Sequence, residues 1–238
     1  MKHIKLFENF DRSSIDDICK KYNITNYTIN EDGSIDVDGD IRICDTDLTK
    51  LPLKFGKVSG NFDCCRNKLM SLDGCPSYVE RTFNCDRNKL TNLIGCPSYV
   101  GGNFYCRENK LTSLEGCPKC VSGWFICTHN KLTSFDGCPR YVGGDFFCNY
   151  NNIRSLSGLS VDLMGELYPS PNLKYIYNIL KNHLEYINNF YDFNIITDLG
   201  IGRQDLNLKR LNKFIDLYDL GELSDVVLNN LKIYYNVI

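Results

Sequence analysis

The stretch that decides the fold is residues 101–114, which read Gly-Gly-Asn-Phe-Tyr-Cys-Arg-Glu-Asn-Lys-Leu-Thr-Ser-Leu. Its pattern returns every 21 residues through the middle of the chain, where three columns keep one residue type and a fourth holds leucine or isoleucine. The columns are Phe62, Phe83, Phe104, Phe125 and Phe146; Cys64, Cys85, Cys106, Cys127 and Cys148; Asn67, Asn88, Asn109, Asn130 and Asn151; and Leu48, Leu69, Leu90, Leu111, Leu132 and Ile153. A fixed period in this range predicts a solenoid, because each repeat can bury its apolar face only against its neighbours.

Each repeat divides into a strand, an asparagine and a turn. The Phe-x-Cys segment alternates inward and outward as a short parallel strand should, and the asparagine can hydrogen-bond neighbouring backbone. The tripeptide Gly-Cys-Pro then turns the chain on the far side. It contains Cys75, Cys96, Cys117 or Cys138. The rungs start at residues 41–43, and a degenerate seventh keeps the register through Gly165, Leu167 and Asn172. At roughly 4.8 Å per parallel strand, seven rungs predict a stack about 30 Å long.

The repeat unit resembles the leucine-rich repeats, whose frame is L-x-x-L-x-L-x-x-N-x-L-x-x-L. In residues 101–114, Gly takes the first leucine place, Phe the second and Cys the third. The residue sequence of the units is also similar to that of the short repeat proteins encoded by large T4-like tailed phages. The similar segments are Asn-Lys-Leu-Thr-Ser-Leu-Glu-Gly-Cys-Pro at 109–118 and Tyr-Val-Gly-Gly-Asn-Phe at 99–104, together with the opening segment at 27–40. The resemblance spans roughly residues 27–158 and implies a phage origin and a role in an infected bacterium, but no particular ligand.

The expected fold is α+β, with three regions. Residues 1–38 are expected to form an N-terminal helix and hairpin cap, residues 39–168 the leucine-rich-repeat solenoid, and residues 169–238 a C-terminal helical cap or small helical module. Ser13 or Ser14 can N-cap the first helix.

The hairpin is predicted from alternation before and after a turn at 31–34. Its alternating apolar residues are Tyr27, Ile29, Ile35 and Val37. The C-terminal region shows apolar residues at helical spacing after Ser170-Pro171, and two further helices fit 206–220 and 224–235.

The composition is that of an ordinary globular protein. The 238 residues are 43% hydrophobic, and 27 Lys+Arg against 29 Asp+Glu leave a formal charge of -2, which argues against disorder and against a polyelectrolyte binder. No run approaches the roughly 18 apolar residues of a membrane span, and charges interrupt any signal-peptide core. With thirteen cysteines, an odd number, and no export signal, we expect a soluble cytoplasmic protein with reduced thiols. The phage resemblance implies that this cytoplasm is that of the host bacterium.

The sequence gives little indication of a catalytic site. Cys117 and Cys120 have the C-x-x-C spacing of redox and zinc sites, but Cys117 belongs to the recurring turn and Cys120 replaces a tyrosine in its column. The three histidines, His3, His129 and His183, are dispersed, and His129 occupies a column that we interpret as surface. We therefore expect no enzyme activity, no cofactor and no metal.

The outward side of the strands carries an aromatic cluster. Because the Phe and Cys of each Phe-x-Cys point inward, the residue between them and the residue before the Phe point outward, to the expected concave face. On three rungs these positions hold Tyr105, Trp124, Ile126 and Phe147. They are flanked by Asp86, Arg107, Thr128 and Asn149. Aromatic clusters with polar rims are typical of protein-binding hot spots. The sequence therefore predicts a protein-binding module, and the phage resemblance implies a bacterial host factor as partner and inhibition of host defence as the role.

Two other functions stay open. A basic column can contact the phosphates of a nucleic acid or nucleotide. However, residues 39–168 carry 15 basic and 13 acidic residues, a net charge of only +2, and such a column is also typical of a solvated edge. Its members are Lys68, Lys89, Lys110 and Lys131, with Arg66 and Arg87 nearby. The chain can also be a structural or assembly component of a phage particle. In addition, the C-terminal helices can fold back and cover the aromatic cluster.

Overall fold

The computed structural model describes residues 12–153, 158–159 and 161–170, and the backbone of two short strands nearer the C-terminus. Its elements, in chain order, are helix α1 Arg12–Lys21 and strands β1 Tyr27–Ile29, β2 Ile35–Val37, β3 Ile41–Arg42, β4 Phe55–Val58, β5 Phe62–Asp63, β6 Tyr78–Val79, β7 Phe83–Asn84, β8 Tyr99–Val100, β9 Phe104–Tyr105, β10 Cys120–Val121, β11 Phe125–Ile126, β12 Tyr141–Val142, β13 Phe146–Phe147, β14 Asp162–Leu163, β15 Leu167–Tyr168, β16 Asp205–Leu206 and β17 Asn236–Val237.

The repeats stack their strands into two sheets. The phenylalanine sheet has the order β15-β13-β11-β9-β7-β5-β3, and the valine sheet has the order β1-β2-β4-β6-β8-β10-β12-β14. Beyond the β1–β2 hairpin the pairs in both sheets are parallel, as in Phe83 with Phe104 and Val79 with Val100. Residues 21 apart are therefore directly opposite each other. The described part of the chain is a parallel-strand β-solenoid with little helix.

The valine sheet is a difference from the sequence prediction, which places one strand in each repeat and only a turn on the far side. After each Gly-Cys-Pro turn, a dipeptide such as Tyr99-Val100 pairs with its equivalents on the neighbouring rungs. The valine points into the core and the tyrosine points outward, and both residue types favour strands. The predicted seventh rung is confirmed at Leu167, which pairs with Phe146. Asn172 lies outside the described residues.

The core lies between the two sheets. The side chains of the phenylalanine and cysteine columns are fully buried, as predicted, and face the buried valines of the second sheet. The rings stack from Phe62 to Phe125, with centroids 5.6 Å apart for Phe62 and Phe83 and 5.1 Å apart for Phe104 and Phe125, and Phe146 meets Phe125 edge to face. Cysteine suits the narrow space beside these rings because it behaves as a small apolar residue. Burial also raises the pKa of the thiols of Cys106 and Cys127 well above the usual value.

The asparagine column forms the predicted ladder. The Asn109 side-chain amide donates to the carbonyls of Cys85 at 3.0 Å, Cys106 at 3.2 Å and Arg107 at 3.3 Å. Its Oδ1 accepts the backbone N–H of Leu90 at 3.1 Å. Equivalent bonds recur on the neighbouring rungs. Each asparagine therefore joins two rungs and satisfies carbonyls that the core would otherwise leave without partners.

The residue before each ladder asparagine adopts the left-handed backbone conformation. The φ angles are 52° at Arg66, 55° at Arg87, 54° at Glu108, 57° at His129 and 57° at Tyr150. These side chains are exposed, as predicted for His129. Because the asparagine binds the carbonyls of the residues two and three positions earlier, it encloses this residue in a tight corner. The corner places a non-glycine residue where its Cβ is disfavoured.

The N-terminal elements occupy the first end of the stack. Helix α1 begins at Arg12, so Ser13 and Ser14 lie inside its first turn and neither is the N-cap that the sequence predicts. The helix buries Ile15 and Cys19 against the core. The predicted hairpin is confirmed, since β1 and β2 pair antiparallel. No helix in the described residues has the length and apolar character needed to cross a membrane.

The C-terminal prediction lies largely outside the described residues. Strands β16 and β17 pair parallel. The sequence pattern predicts that a helix starts at Leu206. This start is wrong, because Leu206 lies in β16. The remainder of the three predicted helices falls on residues that the structure does not describe.

Replacing Asn109 with alanine should lower the free energy of unfolding by about 1 to 3 kcal/mol, because buried backbone groups on two rungs lose their partners. Its neighbour Lys110 is exposed, so Lys110→Ala should cost less than about 0.5 kcal/mol. Chemical denaturation of the two variants measures both values. Equal losses would contradict the ladder.

The buried thiols should be unreactive in the folded protein. Burial raises the pKa of the Cys85, Cys106 and Cys127 thiols, and the thiolate is the reactive form. A chromogenic disulfide reagent should therefore titrate only a minority of the thirteen cysteines before denaturant is added, and all of them afterwards. Reaction of all thirteen cysteines in the native protein, without denaturant, would show that the cysteine columns are accessible to solvent.

Candidate functional site

The outward side of the phenylalanine sheet carries a row of large side chains, which we call the aromatic face. Since the flanking phenylalanines and cysteines are fully buried, the residues between them point away from the core. The predicted members occupy these positions, and the structure adds a fifth on the seventh rung. The aromatic face consists of Tyr105, Trp124, Ile126, Phe147 and Tyr168.

The rings of the aromatic face contact one another across rungs. Trp124 and Phe147 are edge to face with centroids 6.2 Å apart, and Phe147 stacks on Tyr168 at 4.5 Å. Despite these contacts, Trp124 is 46% exposed and Tyr168 is 42% exposed. Sequence analysis missed Tyr168 because its rung is degenerate. Its position, 21 residues after Phe147, is the signal that identifies it.

The backbone beneath the face holds Trp124 in place. Its backbone N–H donates to Asn103 Oδ1 at 2.8 Å, and the Asn103 amide donates to the Tyr105 hydroxyl at 2.9 Å. The indole also rests on Gly144, where a Cβ atom would lie 2.4 Å from Trp124 Cδ1. The absence of a side chain at Gly144 therefore leaves room for the ring. A ring fixed in this way has little conformational entropy left to lose on binding.

Two of the four expected rim residues, Asp86 and Thr128, are buried. Asp86 is only 4% exposed and Thr128 is also buried, so neither offers a free rim group. Asp86 accepts the backbone N–H of Arg107 at 2.8 Å and forms an ion pair with its guanidinium. Burial raises the pKa of the Asp86 carboxyl, and Arg107 opposes that rise. Arg107 lies over the Tyr105 ring at 5.8 Å, and Asn149 is half-buried. Arg107 and Asn149 are thus the accessible rim.

The basic column is exposed but partly neutralised. Lys68 forms an ion pair with Asp47 at 2.8 Å. In the adjacent column, Arg66 is 3.9 Å from Asp45, and Arg87 is 2.9 Å from Glu108. No ion pair joins the three remaining lysines to another described residue. They are Lys89, Lys110 and Lys131.

The valine sheet has an aromatic row of its own, formed by the tyrosine column in which Cys120 stands. Tyr78 stacks on Tyr99 with centroids 5.0 Å apart, and Tyr78 is 38% exposed. Cys120 interrupts the row before Tyr141. The row therefore has two adjacent rings, and it lies on the other sheet from the aromatic face.

The Cys117 and Cys120 thiols show no sign of a redox pair. The Cys117 thiol donates to the carbonyl of Gly137 at 2.9 Å within the turn, as the Cys96 thiol does to Gly116. Burial raises the pKa of Cys117, which disfavours the reactive thiolate. Cys120 lies at the outward position of β10. The spacing is therefore a by-product of the repeat.

A cysteine cluster lies on the first rungs of the phenylalanine sheet. The Sγ atoms of Cys44 and Cys65 are 3.2 Å apart, and Asp63 lies beside them. Sequence analysis did not single out this pair. The available signal is that both residues occupy the outward column that later holds Asp86 and Arg107, where a cysteine has no core to fill.

No family model matches this chain, and the search of curated proteins finds none similar to it. The interpretation of the aromatic face therefore depends on its geometry.

Replacing Gly144 with alanine should displace the Trp124 indole, because the new Cβ atom and Cδ1 cannot both keep their positions. Trp124 is the only tryptophan, so its fluorescence reports the displacement directly, and quenching by acrylamide should increase. Unchanged emission and quenching in a folded variant would contradict the contact.

Proposed function

We propose that this chain is a non-enzymatic protein-binding module and that the aromatic face is its binding surface. The observation that carries the proposal is the 46% exposure of Trp124 within a row of contacting rings. Exposed clusters of large apolar side chains are uncommon on soluble proteins and mark interaction sites. Tryptophan, tyrosine and arginine are the residue types that dominate binding energy at such sites.

The rigidity of the face also supports binding to a protein. Its residues lie on consecutive strands of one sheet, and Asn103 accepts the backbone N–H of Trp124 and donates to the Tyr105 hydroxyl. A preorganised surface loses less side-chain entropy when a partner docks. The accessible Arg107 and Asn149 provide polar groups at its border, where interfaces usually place them.

The biological role follows from the resemblance of the repeats to those of T4-like phages. On that basis the chain is a phage-encoded leucine-rich-repeat protein that acts in the cytoplasm of an infected bacterium. Its partner is a host protein, and inhibition of a defence component is the role that fits such a product. A structural component of the phage particle would instead be present in stoichiometric amounts in purified virions.

The row formed by Lys89, Lys110 and Lys131 supports a second candidate function. Three exposed cations on consecutive rungs, none in an ion pair with another described residue, can contact the phosphates of a nucleic acid or a nucleotide at roughly 4.8 Å spacing. Binding of that kind falls steeply with salt concentration, whereas apolar burial is not screened. The salt dependence of binding therefore distinguishes the two functions.

Affinity purification from infected or expressing bacteria identifies the partner. The wild-type chain and the Trp124→Ala variant are used as parallel baits, and the bound proteins are identified by mass spectrometry. A specific partner should be recovered with the wild type and depleted with the variant. Recovery of nucleic acid that is lost at moderate salt would support the second candidate.

With the partner in hand, Trp124→Ala and Tyr105→Ala should each weaken binding by about 2 kcal/mol or more, because hot-spot rings contribute most of the affinity. Calorimetry measures the affinity, and thermal melts check that each variant is folded. Neither side chain belongs to the buried core, so the melting temperature should change little.

Matched controls separate the aromatic face from the other exposed groups. Tyr78→Ala removes a stacked, exposed ring on the valine sheet, and Lys110→Ala and Lys131→Ala remove cations. These three variants should bind as the wild type does. Unchanged affinity in both aromatic variants would refute the proposal, and loss in the lysine variants would favour nucleic acid.

A further inference from the structure

Core packing accounts for ten of the thirteen cysteines, since they are buried or packed against the core cluster. The three others are half-buried and lie outside that cluster. They are Cys44, Cys65 and Cys120. Cys120 stands in the tyrosine row of the valine sheet, whereas Cys44 and Cys65 face each other on neighbouring rungs. The pair therefore needs an explanation that hydrophobic packing does not supply.

Three potential ligand atoms converge at this pair. The sulfurs of Cys44 and Cys65 and a carboxylate oxygen of Asp63 all lie within 4.8 Å of one another. The Cys65 thiol donates to the Cys44 sulfur at 3.2 Å, and the Cys44 thiol donates to the Asp63 carbonyl at 3.5 Å. Asp63 Oδ1 accepts the backbone N–H of Cys65 at 3.2 Å. This bond holds the carboxylate beside the two thiols.

We propose that Cys44, Cys65 and Asp63 bind one zinc ion, with water as the fourth ligand. Zinc takes thiolate sulfur at about 2.3 Å and carboxylate oxygen at about 2.0 to 2.2 Å in a tetrahedral arrangement. Two sulfurs bound in this way are about 3.8 Å apart, so the thiols need to separate by only a small amount after they lose their protons. The half-buried position lets the ion and its water reach the site.

The donor set selects the metal. Two thiolates favour a soft or borderline cation, whereas calcium and magnesium prefer ligand sets made of oxygen alone. Zinc with two thiolates and one carboxylate carries a net charge of about -1. Arg42 and Arg66 line the same polar cleft as Cys65 and can offset that charge. The adjacent Asp45, which also lines the cleft, faces Arg66.

The site is separate from the aromatic face. Cys44 follows β3, Asp63 ends β5 and Cys65 follows it, whereas the aromatic face begins at β9. Failure of one proposal therefore leaves the other intact. The inference also replaces the expectation from the sequence that the chain binds no metal.

The test is zinc binding by the full chain, purified with a reductant that does not bind metal and then stripped with a chelator. Calorimetry or competition with a chromophoric chelator gives the stoichiometry and affinity. We expect one zinc per chain. Cobalt(II) can replace zinc in such sites and, unlike zinc, absorbs visible light. It should give the intense d–d bands of a tetrahedral ion and thiolate-to-metal charge-transfer absorption.

Variants at the three ligands and one matched control locate the site. Loss of groups that only orient metal ligands costs 10- to 100-fold in affinity, so Cys44→Ser and Cys65→Ser should each cost at least about 100-fold. Asp63→Asn should cost at least about tenfold. Cys120→Ser, which removes the third unpacked thiol, should leave zinc binding unchanged. Circular dichroism verifies that each variant is folded. If a serine variant unfolds, thiolate-to-metal charge transfer in the cobalt spectrum of the wild type shows whether cysteines bind the metal.

Several results would overturn the proposal. One is the absence of stoichiometric zinc binding, and another is an equal loss in Cys120→Ser. A cobalt spectrum without thiolate charge transfer would do so as well. Intact mass measured without reductant gives a further outcome, because a Cys44–Cys65 disulfide that persists in cells would identify an oxidised pair in place of a metal site.

Discussion

The structure depends on the requirement that each rung lies in register on the one before it. Parallel strands of only two residues provide few hydrogen bonds, and short strands alone are not stable. The ladder asparagines supply what the strands lack, because each bonds carbonyls on two rungs and accepts an N–H from the earlier one. Once that register is fixed, each phenylalanine ring lies against the ring on the next rung, and the cysteines fill the same gap on every rung.

Residues that repeat the same task were predictable from the sequence. The inward phenylalanines and cysteines, the asparagine ladder and the first hairpin all carry a pattern that one physical requirement explains. The valine sheet was not predictable in the same way, because a dipeptide such as Tyr99-Val100 is too short to show alternation. The leucine-rich-repeat frame also directs attention to the strand with the asparagine and treats the far side as a turn.

The candidate functional surfaces were less predictable because they lie in columns whose residues differ. Outward alternation correctly placed Trp124 and Phe147 on the surface. It failed for Asp86, which follows the strand, where the chain enters the left-handed corner and a side chain can turn inward. Cys44 and Cys65 precede Asp86 in the same column, and only the contact between their sulfurs separates them from the cysteines that fill the core. A periodic backbone thus presents different chemistry at each end of one face.

The left-handed corners have a consequence for how such a protein can change. One strained backbone conformation is shared by arginine, glutamate, histidine and tyrosine, at Arg66, Arg87, Glu108, His129 and Tyr150. The fold specifies the dihedral angles there and leaves the side chain unspecified, at a cost of roughly 1 to 2 kcal/mol for each residue. The row is therefore a set of positions at which a solenoid can acquire charge, aromatic surface or a titrating group without any change in its interior. It is also a reserve of stability, since asparagine or glycine at any of these corners would relieve strain that the rest of the stack now sustains.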